Sequence, residues 1–130
     1  MTSSAKPQLF VMMALEFFIW GAWLPLIWSY MEAIGFSGDQ QALVGTAFAI
    51  ASIVGIFFSN QFADRNFSAE RFLAFSHLVG GLAMFGLFMT RDFELFFSLM
   101  LVHSLFYVPT ISVTNSLAFA HLKNPQQEFG

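Results

Sequence analysis

The sequence predicts an all-α integral membrane protein with four transmembrane helices, and three observations predict it. The first is composition. Of 130 residues, 57% are hydrophobic and 10% charged, which is not the balance of a soluble domain. With 18% aromatic residues, nineteen of them Phe, the chain carries more apolar surface than a body of its size can hide from water. The second is spacing: charged residues cut the sequence into four apolar blocks, each near the roughly 20 residues a helix needs to cross a bilayer. The third is punctuation, because polar and helix-stopping residues stand at each boundary.

The first block covers about residues 9–31, interrupted only by Glu16. It is closed by Glu32 and the turn Gly35-Phe36-Ser37-Gly38-Asp39. The second covers about 42–62 and stops at Asp64-Arg65. After the short segment 66–70, a third runs over about 71–89 to Thr90-Arg91-Asp92. The fourth covers about 93–120 and ends at His121-Leu122-Lys123-Asn124-Pro125. Lys6 ahead of the first block also fits the start of a secretory leader. The length of the block, the internal Glu16 and the lack of a small-x-small cleavage site argue that it stays in the membrane.

Orientation follows from Lys and Arg near the span ends. Lys6, Arg65, Arg71 and Lys123 fall on one side and Arg91 alone on the other, which places both termini in the cytoplasm. The expected location is the cell membrane, a bacterial inner membrane.

Several function classes are excluded. A net charge of −3 leaves no basic footprint for a nucleic acid partner. Zero Cys removes disulfides, thiolate catalysis and Cys-based metal sites. No His-Glu-x-x-His, P-loop, Gly-x-Gly-x-x-Gly or nucleophile elbow occurs, so neither an enzyme nor a metal or other cofactor has support.

Chemistry concentrates on two helical faces. At 100° per residue, Glu16, Trp20, Trp23, Ile27 and Tyr30 fall within about 40° of one line down the first helix. A carboxylate roughly two turns inside the membrane is costly, so Glu16 faces a bundle interior or a wet cavity. Tyr30 and Trp28 stand at interfacial depth; Trp20 and Trp23 lie deeper. The fourth helix aligns His103, Tyr107, Thr110, Thr114 and His121 in the same way, with Ser104 and Asn115 on the flank. Pro109 removes one backbone bond beside that stripe. Hydroxyls in a span often bond their own helix or a neighbour, but five aligned polar or aromatic positions exceed that. In the second helix Ala47, Ala51, Gly55 and Ser59 recur every fourth residue, a ridge for close packing. The third carries Gly80-Gly81 and His77, read as a hydrogen-bonded interior histidine.

The first span reads Glu16-Phe17-Phe18-Ile19-Trp20-Gly21-Ala22-Trp23-Leu24 and ends Ser29-Tyr30-Met31; Ala63-Asp64-Arg65 with Ser68-Ala69 joins spans two and three; Tyr107-Val108-Pro109-Thr110 is followed by Asn115. In these motifs, and in His77 before Gly80, the chain resembles the nucleoside:proton symporter family of the major facilitator superfamily. In the superfamily's loop signature, glycines stand where this chain has Asn60 and, nearby, Phe67. The resemblance implies a first portion of the N-terminal six-helix half of a twelve-span carrier, in which helices one and four of each half line the central cavity. It also implies that Asp64, and secondarily Arg65, belong to a gating loop.

The expected function is therefore that of a fragment of a proton-coupled nucleoside importer working by alternating access, inactive alone. Trp20, Trp23, His103, Tyr107, Thr110, Thr114 and Asn115 would line the substrate path, and Glu16 would take up and release the coupling proton. The partners expected are a nucleoside, protons, the lipid bilayer and the remaining helices of the full-length transporter. Two alternatives stay open: a complete four-helix dimeric exporter resembling the small multidrug resistance family, and a non-transport helical membrane scaffold.

Overall fold

A computed structural model describes residues 5–58 and 68–121. They form four helices: α1 (Ala5–Ala33), α2 (Gly38–Phe58), α3 (Ala69–Met89) and α4 (Phe93–His121). Of these, α1 from Lys6 onward, α3 and α4 are long and apolar enough to cross a membrane.

Both fully described turns are built from local chemistry. Gly35 takes a φ of +89°, the left-handed conformation that favours glycine just beyond a helix end. Its N–H reaches Glu32 O at 3.1 Å and the Phe36 N–H reaches Met31 O at 3.0 Å, a Schellman closure of α1. Ser37 then opens α2 at once: Gln40 N–H donates to Ser37 Oγ at 3.2 Å, and Ser37 N–H donates to Gln40 Oε1 at 2.9 Å. That reciprocal capping box satisfies two donors at the helix start. It explains why α2 begins at Gly38, ahead of the apolar block that starts near residue 42. Ser68 caps α3 by accepting from Arg71 N at 3.4 Å. Between α3 and α4 only Thr90, Arg91 and Asp92 intervene, and Asp92 Oδ2 accepts from Leu95 N at 3.0 Å.

α4 is the central element and packs against the other three. Between helices already in lipid there is no hydrophobic drive to associate, so close backbone approach and interhelical hydrogen bonds decide the packing. Small residues supply the approach. Ala47 and Ala51 are fully buried, and a methyl group added at Gly55 would meet the Pro109 ring at 3.5 Å and Val108 at 3.6 Å. Gly55 of the expected ridge therefore faces α4, and Ala47 and Ala51 are buried along the same ridge; the fourth member, Ser59, lies outside the described residues. On α3 the buried residues Leu73, Ser76, Gly80, Ala83 and Leu87 repeat at helical spacing and carry Gly80 close to His103. An aromatic layer of Phe36, Phe93, Phe96 and Tyr30 closes the end of the bundle that holds the two tight turns. Neither internal proline breaks its helix: α1 continues through Pro25 and α4 through Pro109.

Candidate functional site

The two stripes meet at Glu16. Its side chain is 2% exposed, and a carboxylate so buried needs partners from several elements. All of them come from other helices. The Thr110 hydroxyl donates to Oε1, and Thr114 Oγ1 reaches Oε2 at 3.4 Å. The Tyr107 hydroxyl donates to the Glu16 main-chain oxygen at 2.6 Å. From α3, His77 Nε2 stands 2.8 Å from Oε2. One α1 residue thus gathers two α4 residues one turn apart, a third from the turn before, and an imidazole from α3.

His77 is held from behind: its Nδ1 lies 3.1 Å from Leu73 O, one turn earlier. A carbonyl only accepts, so Nδ1 carries the hydrogen and Nε2 faces the carboxylate. The sequence predicted an interior histidine with a hydrogen bond and did not join it to Glu16. The signal was present in the 3.6-residue pattern, since His77 adjoins Ser76 on the buried face of α3 between Leu73 and Gly80.

The remaining stripe residues divide between two clefts. Trp23 is buried with its ring edge-on to His103 at 5.5 Å. His103 stacks on Tyr107 at 5.6 Å and 12°, with Nδ1 2.9 Å from Gly80 O. Trp23, His103 and Tyr107 line a cleft of about 380 Å³ between α1 and α3, together with Ser76, His77 and Gly80. In the second cleft, Trp20 stacks on Phe48 with centroids 5.2 Å apart and planes 6° from parallel. That pair lines an open cleft of about 510 Å³ with Ser52, Ser112, Asn115 and Ser116. Asn115 therefore belongs with Trp20 and apart from the Glu16 cluster. Phe48 was not anticipated; it adjoins Ala47 of the small-residue ridge, and its ring faces α1. His121, which the sequence aligned with the stripe, is exposed and bonds back to Leu117 O at 2.8 Å. Asp64 and Arg65, the gating-loop candidates, lie outside the described residues. Among the described residues no group of three or more His, Asp or Glu is arranged to hold a metal ion.

Chemically, this face of α1 offers two things: a buried carboxyl–imidazole pair toward α3, and in the second cleft a flat aromatic surface beside an amide and three serine hydroxyls, which suits a planar heterocycle carrying polar substituents. The profile of the nucleoside H+ symporter family matches residues 3–130. The chain belongs to that family. Three relatives from Escherichia coli (strain K12) agree. The "Putative nucleoside transporter YegT" is 38% identical over 129 residues, 99% of this chain and 30% of the relative. Xanthosine permease is 34% identical over 120 residues, 92% of this chain and 29% of the relative. Nucleoside permease NupG is 29% identical over 120 residues, again 92% and 29%. The chain thus spans about 30% of the length of the relatives it matches. No solved structure matches it. This nucleoside H+ symporter family member is a membrane protein, and its relatives carry transporter and permease names.

Proposed function

We propose that the chain supplies the first four membrane crossings of a proton-coupled nucleoside importer of the major facilitator superfamily, with α2 as the fourth crossing and both ends cytoplasmic. The observation that carries the reading is that one face of α1 bears both functions: Glu16 among α3 and α4 and, one turn on, the Trp20–Phe48 stack in the cleft that Asn115 also lines. Nucleobases stack on aromatic faces and bond through their edges and sugar hydroxyls. The 510 Å³ cleft offers both kinds of contact, and family membership supplies the substrate class. Glu16 takes up the coupling proton while Trp20, Trp23, His103, Tyr107, Thr110, Thr114 and Asn115 form or support the substrate path. Asp64 and Arg65 gate the cytoplasmic loop.

A carrier needs two opposed halves around its site, and a chain matching about 30% of its relatives' length contributes part of one. Expressed alone, it gives no uptake. The test is proton-driven uridine uptake by a protein containing this chain with the remaining helices, comparing wild type with Glu16→Gln and Trp20→Ala. Strong loss in both supports the reading. Uptake unchanged in both removes these residues from the mechanism.

A further inference from the structure

We propose that Glu16 and His77 form a proton-sharing pair, loaded through the cleft between α1 and α3. The role of the pair in transport rests on the coupling function proposed for Glu16, but proton binding by the pair does not.

The geometry is specific. With Nδ1 hydrogen-bonded to Leu73 O at 3.1 Å, the imidazole presents Nε2 to Glu16 Oε2 at 2.8 Å. At that separation the two atoms need one proton between them. Either a carboxylic acid donates to a neutral ring, or an imidazolium donates to a carboxylate. Remove that proton and two lone pairs face each other, so the Glu16 and His77 side chains repel where they bridge α1 and α3. A proton arriving from water adds to Nε2, passes to Oε2 as the ring returns to its neutral Nδ1–H form, and leaves by the reverse path. No other bond changes.

Access is lopsided, which gives the pair a direction. The His77 side chain is 29% exposed and that of Glu16 is 2% exposed, so the imidazole is the member of the pair nearer to water, although its Nε2 is itself buried. His77 lines the 380 Å³ cleft. Four buried atoms on residues of that cleft, Trp23 Nε1, Ser76 Oγ, His103 Nε2 and His77 Nε2 itself, make no hydrogen bond among the described residues, the last meeting Glu16 at ion-pair distance only. Buried polar atoms of this kind are commonly satisfied by water, and here they mark a wet approach to His77. The titratable groups facing the pair are Tyr107 and His103 from α4. On α2 the acidic residue is Asp39, in the first turn and remote from the pair.

The experiment is infrared difference spectroscopy between acid and alkaline pH on the full-length protein in lipid nanodiscs, following the carbonyl stretch of protonated carboxyl groups. The wild type is expected to show a titrating band that Glu16→Gln removes. In His77→Gln, which keeps a polar side chain but carries no titratable proton, the band's midpoint is expected to move by about one pH unit or more, the size of effect a charged neighbour within a few ångströms exerts. Selective nitrogen-15 labelling of histidine in the wild type provides a second readout independent of any variant's folding: the His77 Nε2 resonance must titrate together with the Glu16 band. No Glu16 band at any pH together with a His77 ring that stays neutral throughout, a band indifferent to His77→Gln, or a His77 resonance that titrates separately overturns the pair. Wild-type uridine uptake accompanied by any of these results would sink the pair and leave the transport reading standing; absent uptake with a coupled band would do the opposite.

Discussion

The Tyr107 hydroxyl donates to the main-chain oxygen of Glu16 at 2.6 Å, across 91 positions of sequence. The bond joins α4 to the backbone of α1 at the residue whose side chain already engages α3 and α4. Tyr107→Phe keeps the ring that stacks on His103 and deletes only the donor. Interhelical hydrogen bonds in membranes contribute about 0.6–1.7 kcal/mol, so the variant is expected to unfold at lower denaturant in detergent by an equivalent of that size. An unchanged transition would mean that water or another group takes the donor's place.

Gly55 separates packing from chemistry. A methyl group there meets Pro109 and Val108 at 3.5 and 3.6 Å, ordinary van der Waals contact, so Gly55→Ala should fold with stability within about 0.5 kcal/mol of wild type. Gly55→Leu drives a branched side chain into α4 and is expected to cost about 1–3 kcal/mol or more. Parallel melting curves in detergent decide it, and equal curves for Ala and Leu would show that α2 does not lie against α4 at Pro109.

The turn between α1 and α2 is testable without touching the bundle interior. Ser37→Ala removes the acceptor for Gln40 N–H and breaks the capping box, which is expected to cost about 1 kcal/mol. Ser37→Asp, which restores a capping acceptor beside the helix start, should recover most of it. Amide hydrogen exchange over residues 38–42 reads this locally, and equal protection in all three proteins would contradict the cap.

At the Trp20–Phe48 stack, Trp20→Phe preserves a flat ring and removes the indole N–H, which has no hydrogen-bond partner among the described residues. On the proposed substrate role, Trp20→Phe raises the uptake KM a few-fold, since one neutral hydrogen bond contributes about 1 kcal/mol, while Trp20→Ala abolishes saturable uptake. Concentration-dependent uridine uptake measures both. An unchanged KM in Trp20→Phe would leave only stacking at this position.

Much of this architecture was readable because membrane helices obey a strict length rule. The apolar blocks anticipated where α1, α3 and α4 run, and the 100° repeat put Glu16 on one face of the first helix and Tyr107, Thr110 and Thr114 on one face of the last, without pairing the two faces. Helix starts were less legible. Capping residues such as Ser37 and Ser68 are polar and sit outside the apolar runs, so α2 and α3 begin earlier than hydropathy marks. Pairings across helices were the least legible. Periodicity assigns a residue to a face but not to a neighbour, and neither Glu16–His77 nor Trp20–Phe48 follows from the spacing within a single helix. The same limit put Asn115 beside the Tyr107 stripe when its side chain serves the other cleft.

The position of the Glu16 partners in the chain bears on how the protein is made. Tyr107, Thr110 and Thr114 all belong to α4, the last of the four helices, and His77 belongs to α3. At about 5–20 residues per second, a ribosome takes roughly 5–18 seconds to travel the 91 residues from Glu16 to Tyr107. Throughout that interval α1 has no finished site for its acidic residue. The insertion machinery must therefore hold a helix bearing a carboxyl group out of bulk lipid, or admit it protonated, until α4 is delivered.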